Sequence, residues 1–226
     1  MTKKVPTAAL ALRSGYAQSK WVAEQVVHGA LERHEIDARI IRPGVLCGCS
    51  HTGASNEKDA VMLLLSGLVR NRAVCTDARS PAPRWFNMVP VDTAAAATVA
   101  IGMSGDRAPS HPYHICAPRS ISLGTLCNWL RSSGHTLQSV GAETFCQQVR
   151  AVDEAHPLFA LKAQLARPHS APVPTDETPP LEPRAERAAD VLRRTGRPMQ
   201  LTQASLALAM DFLQAGANAQ RRTGCK

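Results

Sequence analysis

Apolar residues recur at helical spacing between residues 16 and 33, where Val22, Val26, Ala30 and Leu31 fall in one stripe. The spacing predicts a helix over 16–33, with His34 and Asp37 flanking its exit. Ala38-Arg39-Ile40-Ile41 then reads as a short buried strand, stopped by Pro43-Gly44. A helix feeding a strand, with a turn at the strand's carboxyl end, is the repeating unit of doubly wound parallel sheets, so the class expected is α/β. In such sheets the ligand crevice lies just past the carboxyl ends of the strands, and Pro43-Gly44-Val45 would sit there.

Residues 46–56 are small and polar and read as a loop. Val61, Leu64, Leu65 and Leu68 are in phase on a second helix over 57–71, and 76–84 is rich in turn residues. A strand-like run from Trp85 to Val91 ends at Asp92, which is placed to cap an alanine-rich helix over 93–103. Tyr113 to Cys116 reads as a strand. Ser122 reads as the cap of a helix through Leu130 that ends near Gly134. Gln138–Val140 reads as a strand and 141–150 as a helix. Six prolines between Pro168 and Pro183 predict a linker or long loop, followed by helices over 184–194 and 202–215. Trp21 and Trp129 are expected in the core.

With 226 residues and 44% hydrophobic content, the chain can build one sizeable core, or one core and a small lobe. The net charge of +8 favours anionic partners such as a dinucleotide or an acidic carrier protein. The basic residues are scattered and aromatics are 4%, which argues against a stacking platform for single-stranded nucleic acid. A solvated arginine-rich surface is the simpler reading of the charge. Seven cysteines include no C-x-x-C pair, and no zinc-ligand set is spaced along the chain. The thiols, Cys47 and Cys49 among them, are expected to be reduced and packed, in a cytoplasmic protein, with Cys225 on a frayed tail. Met1 to Pro6 does not read as a signal peptide, and no apolar run is long enough to cross a bilayer.

The chemistry centres on Tyr16 and Lys20. Four residues apart on a helix, they share a face, and the ammonium there can lower the phenol's pKa and make it a general acid. Taken alone, the pair could be a surface tyrosine and lysine on a first turn. Its setting adds weight, because the helix feeds a strand ending in Arg42-Pro43-Gly44. The proline removes a donor and fixes the turn, and the glycine would let a flat ring approach the backbone. His51, in the polar loop, and Asn87 are candidates for substrate contacts, although an ordinary loop histidine is the simpler reading of the first. Asp92 fits a cap as well as a cleft residue.

The run Gly15-Tyr16-Ala17-Gln18-Ser19-Lys20-Trp21-Val22-Ala23-Glu24, followed by Ile41-Arg42-Pro43-Gly44, resembles the extended short-chain dehydrogenase/reductases. More narrowly it resembles the thioester reductase domains that end nonribosomal peptide and polyketide synthetases, and the related carboxylic acid reductases. Ser50 to Asn56, Phe86 to Asp92, and the helices from Asp190 to Gly216 match that family in order. The resemblance implies that Tyr16 protonates a carbonyl oxygen, and that Lys20 holds the nicotinamide ribose and activates Tyr16. Pro43, Gly44 and Val45 would line the nicotinamide pocket of NADPH. The implied substrate is an acyl or peptidyl thioester on the phosphopantetheine arm of a carrier protein, reduced to an aldehyde or alcohol.

The fold implied is an incomplete doubly wound, Rossmann-like parallel sheet, its C-terminal half, with a small, mostly helical substrate lobe. Residues 1–48 would be the tail of the dinucleotide-binding domain. Residues 49–167 would form the substrate lobe interleaved with the last sheet elements, 168–183 the linker, and 184–226 the C-terminal helices. No G-x-x-G-x-x-G phosphate loop occurs in the sequence, and Thr7 and Ser14 are too close to Tyr16 to be the family's active-site hydroxyl. The chain therefore reads as the second half of an enzyme, expected to be a poor catalyst alone, with the missing half supplied in trans by a neighbouring polypeptide, lost by truncation or cut off by a misplaced start. The alternatives are a fragment of another extended reductase or epimerase, and a non-catalytic remnant that docks a carrier.

Overall fold

The computed structural model describes residues 15–33, 36–104, 112–170, 186–196 and 199–223. The expectations for Met1–Pro6, Thr7, Ser14, His34, Cys225 and residues 171–183 of the proline-rich stretch lie outside them.

Helix α1 spans Gly15–Glu32 and returns through a short connection to β1, Ile41–Pro43. After Gly44 the extended run continues as β2, Val45–Cys47. Helix α2, Ala60–Asn71, starts three residues later than the apolar pattern implied, because the Asp59 carboxylate caps it. That carboxylate accepts from Val61 N–H at 2.9 Å and Met62 N–H at 3.2 Å. Then come β3 (Ala73–Val74), β4 (Trp85–Phe86), β5 (Met88–Pro90), α3 (Val91–Met103), β6 (Tyr113–Ile115) and β7 (Ile121–Ser122). They are followed by α4 (Leu123–Ser132), β8 (Gln138–Ser139) and α5 (Ala142–Ala151). A 3₁₀ turn at Pro157–Leu161, α6 (Lys162–Leu165), α7 (Glu186–Thr195) and α8 (Gln203–Thr223) complete the chain.

Ser122 caps α4 as expected, its hydroxyl accepting from Thr125 N–H at 3.0 Å. Asp92 does not cap α3. The helix begins at Val91 behind Pro90, with no side-chain cap, and Asp92 lies inside the first turn. The single strand expected over 85–91 is two strands broken at Asn87.

The strands pair two by two among the described residues. β1 runs parallel to β6, β2 parallel to β5 and β3 parallel to β8, while β4 and β7 are antiparallel. The run through β1 and β2 thus changes neighbour at Gly44, from β6 to β5. Doubly wound sheets bind ligands past the carboxyl ends of their strands, and Gly44 follows the carboxyl end of β1.

Two cores hold these elements. The larger joins Met62, Leu65 and Leu68 of α2 to Leu126 and Leu130 of α4, Phe145 and Val149 of α5, Leu158, and Met210 of α8. Fully burying each of these side chains contributes about 1.5–3 kcal/mol. The smaller gathers Val89, Ala97, Ile101, Tyr113 and Ile115 with Ala188 of α7. Helices α7 and α8 therefore serve different cores.

The expected stripe on α1 is only partly buried. Leu31 is covered, but Val22 is 53% and Val26 67% exposed, and Trp21 is half-buried rather than core. The reason is topological. β1 has β6 on one edge, and no described strand on the other, so nothing there extends the sheet under that side of α1. Trp129 is half-buried against the larger core. Of the described cysteines, Cys47, Cys75, Cys116, Cys127 and Cys146 are buried and Cys49 is half-exposed, and none of the six is in a disulfide. No described helix is long and apolar enough to cross a membrane. No cluster of three or more potential metal ligands occurs among the described residues.

Candidate active site

Tyr16 is the second residue of α1, and Lys20 lies one turn further on. Tyr16 is 73% exposed, and the Lys20 ammonium lies 5.5 Å from its ring centroid. That geometry is a cation–π contact. Ser19 Oγ donates to the Tyr16 carbonyl at 2.8 Å, fastening the first turn.

Glu24 is one turn beyond Lys20 on the same side of the helix. It forms a two-point ion pair with Arg42 of β1: Nε donates to Oε1 at 2.8 Å, and Nη2 donates to Oε2. The hydrogen bond from Arg42 holds the Glu24 carboxyl below its ordinary value, and Glu24 in turn raises the Arg42 guanidinium. His114, the partner of Arg42 across the β1–β6 ladder, is pushed down by burial and then by the Arg42 charge. Tyr16 lies ~12 Å along the helix from Glu24 at 1.5 Å per residue, and Arg42 is followed by the carboxyl end of β1 at Pro43-Gly44.

At Gly44 the strands are laced together. Gly44 N–H donates to Ile115 O and Val45 N–H to Asn87 O, each at 2.8 Å. The Asn87 amide spans the gap opened by the change of neighbour. Its Nδ2 donates to Ala117 O at 3.0 Å, and its Oδ1 accepts from Ala117 N–H at 2.8 Å. A Cβ on Gly44 would lie 2.7 Å from Asn87 O and 2.8 Å from Asn87 Oδ1. The glycine is thus required by Asn87, a reason the sequence did not disclose. Asn87 clamps the diverging strands, and its amide is already engaged in that clamp.

The loop after β2 is fixed from two sides. Asp92 accepts from Ser50 N–H and Ser50 Oγ, both at 2.8 Å. Burial works to raise its carboxyl, and the two Ser50 bonds outweigh that and hold it low. His51, exposed, has its Nε2 3.9 Å from Asp92 Oδ2, an ion pair only when the ring is protonated. Gly53 has φ +72°, and a Cβ there would sit 2.1 Å from the Leu208 carbonyl oxygen of α8. Burial pushes the Cys47 thiol up to about 12. The Cys49 thiol is held below its ordinary value, first by the Thr52 hydroxyl and then by the N–H groups of His51 and Thr52. Cys49 is thus a hydrogen-bonded loop thiol rather than a packed one.

The parallel pairs, the break at Gly44 and the helix bearing tyrosine and lysine define a Rossmann-like reductase fold, and solved structures agree. The terminal R domain from the myxalamid PKS-NRPS pathway matches with a TM-score of 0.72 at 24% identity, over 92% of this chain and 51% of that one. A thiolation-reductase di-domain from an archaeal nonribosomal peptide synthetase matches with a TM-score of 0.67 at 20% identity, over 92% and 42%. In sequence, the L-2-aminoadipate reductase large subunit of Eremothecium gossypii is 32% identical over 154 residues, which is 67% of this chain and 11% of the relative. Residues 2–98 match the NAD-binding family described as male sterility protein. Over those residues the chain is similar to that family, and its relatives include aminoadipate and carboxylic acid reductases and nonribosomal peptide synthetases. It spans about half the length of the myxalamid R domain and a small part of its sequence relative.

The family supports a nicotinamide cofactor. The residues present fit one end of it. The Tyr16 side chain is open to solvent and Lys20 lies beside it, whereas the space beside Gly44 that a Cβ would take, expected to admit a flat ring, is filled by Asn87. No described loop has the glycine pattern that cradles a pyrophosphate.

Proposed function

We propose that the chain carries the proton-donating half of an NADPH-dependent reductase that acts on acyl thioesters held by a carrier protein and releases an aldehyde or alcohol. The observation that carries the reading is the pinned dyad. Tyr16 and Lys20 sit on a helix that Glu24 and Arg42 tie to the strand ending at the Gly44 break. The archaeal di-domain, which joins a thiolation domain to a reductase, supports a carrier as partner.

NADPH supplies the hydride when bound. The Tyr16 hydroxyl donates its proton to the substrate's carbonyl oxygen as negative charge develops there. The Lys20 ammonium, 5.5 Å from the Tyr16 ring centroid, would hold the ribose hydroxyls. Pro43, Gly44 and Val45 form the wall against the nicotinamide. His51 is the candidate for a substrate contact on the loop side. Asn87 supports that wall through Ala117. With no glycine-rich loop among the described residues, the chain by itself should bind NADPH weakly and turn over poorly.

The test joins this chain to a glycine-rich dinucleotide-binding half of a related reductase domain. NADPH consumption is then followed with a carrier-bound thioester, the matching acyl-CoA and a nucleotide-sugar. Turnover should favour the carrier-bound thioester, and Tyr16→Phe should lower it by about 100-fold or more. Equal turnover in Tyr16→Phe sinks the reading. A preference for nucleotide-sugar would move the chain to the epimerase-like alternative.

A further inference from the structure

Away from the dyad, at the far end of α2, lies a cavity of ≈ 390 Å³ lined by Val69, Arg70, Arg72, Gly134, His135 and Thr136. The near end of α2, at Asp59, adjoins the loop side of the candidate active site, since Cys47 feels both Asp59 and Asp92. Twelve residues of helix put the cavity ~18 Å from that end. We propose that this cavity is a binding site for a phosphate ester.

The lining is cationic and includes no carboxylate. Two helices, α2 and α4, end beside it, and arginines at helix C-termini often serve only to offset the helix dipole. The arithmetic goes beyond that. Two helix ends carry about −0.5 each, so two arginines leave a surplus of roughly one positive charge. Nor are the arginines needed as caps. The last carbonyls of α2 are covered by Arg72 N–H, which donates to Leu68 O and Val69 O. Those of α4 are covered by the N–H groups of Ser133, Gly134 and His135.

Each guanidinium is available. Arg70 is steadied by one bond, Nη1 to Ala155 O at 2.7 Å, which leaves four N–H donors. Among the described residues the Arg72 side chain carries no hydrogen bond. The backbone at Arg72 is a separate observation. It is the one non-glycine residue with positive φ among those described, at 53°. That is a position helices usually give to glycine or asparagine. An arginine there costs stability that a glycine would not, as is common where a side chain has work to do. Planar guanidinium donors beside the Thr136 hydroxyl and the His135 ring suit phosphate oxygens.

A phosphate ester could come from a free metabolite or from the base of a carrier's phosphopantetheine arm. Only the second source rests on the reductase reading. The experiment is a calorimetric and NMR titration of the whole chain with inorganic phosphate, phosphopantetheine and pantetheine. Phosphopantetheine should bind about tenfold or more tighter than pantetheine, with shifts centred on Arg72 and Gly134 to Thr136. Arg72→Gly is the decisive variant. It relieves the backbone, so it should fold as well as wild type or better, yet lose about tenfold in affinity. Equal binding of pantetheine, or full affinity in Arg72→Gly, overturns the proposal. Inorganic phosphate binding as tightly as phosphopantetheine supports the site and overturns the carrier arm as its source. Failure of the reductase assay alone would leave these titrations unchanged.

Discussion

Replacing Asn87 by alanine tests whether the change of strand partners is held by one amide. The substitution removes the 3.0 Å bond from Nδ2 to Ala117 O and the 2.8 Å bond from Ala117 N–H to Oδ1. Each is worth about 1 kcal/mol net, and Ala117 is 2% exposed, so both its backbone groups would be left without a partner or water. The loss should be about 2–4 kcal/mol, or roughly 4–16 °C in Tm for a chain of this size. Urea and thermal denaturation followed by circular dichroism would measure it. Asn87→Asp has the same shape and retains an acceptor, but at neutral pH it sets a carboxylate oxygen against Ala117 O. It should lose as much as the alanine variant at pH 7 and recover part of that in acid, where the carboxyl can donate. If Asn87→Ala lies within about 0.5 kcal/mol of wild type, or Asn87→Asp matches wild type at neutral pH, the clamp does not exist as described. A variant that keeps full stability but loses turnover would return Asn87 to the role of substrate contact.

Further outcomes follow from the same geometry. Gly53→Ala should destabilise by about 3 kcal/mol or more in urea denaturation, since it combines a left-handed φ with a clash against the Leu208 carbonyl. Asp92 is depressed in the folded chain, so its contribution is complete above the unfolded carboxylate value of about 3.9 and is lost as pH falls through the folded value. Asp92→Asn should therefore be less stable than wild type at pH 7, with the difference closing below about pH 4; a constant difference down to pH 2 would refute the Ser50 pairing. Iodoacetamide at pH 8 should label Cys49 well before Cys47, and Thr52→Val should slow that labelling, read by mass spectrometry of peptides.

Helices α2 to α5 were legible because their signals are local. Each has an apolar run with a core to face, and at α4 the serine before the run, Ser122, also marks the start. Asp92 shows the limit of that logic. Its position before an alanine-rich run is that of a cap, but its carboxylate has a stronger donor pair in Ser50, 42 residues away in sequence, and tertiary bonding overrode the local preference. Asn87 was hidden for a related reason. A hydrophobic run reads as one strand, and nothing in its spacing says that its middle residue must bridge to Ala117 across a change of neighbour. The Arg70/Arg72 cavity could not be seen at all, because it joins the end of one helix to the loop after another.

The proposed reading requires the Tyr16/Lys20 face of α1 to point toward the end of β1, and the structure shows one contact that bears on how α1 is turned. A tyrosine and a lysine at i and i+4 guarantee only a shared face, and a helix is free to turn that face anywhere. Extending the step once more gives Glu24, whose two-point pair with Arg42 fixes the rotation of α1 against β1. Arg42 is the residue before Pro43-Gly44, so the contact that ties α1 to β1 lies next to the strand end proposed to face a nicotinamide. Glu24→Gln keeps the shape and one acceptor but removes the charge that holds Arg42. Amide exchange in the first turns of α1 should then quicken while the larger core of α2, α4 and α5 is unchanged, because neither Glu24 nor Arg42 is a member of it. In the joined enzyme, the turnover number should fall with little change in KM, since a loosened helix misplaces the hydroxyl without emptying the substrate lobe. Unchanged exchange in α1 would mean that the packing of Leu31 and the start of β1 orient the helix, and that the ion pair is surface decoration.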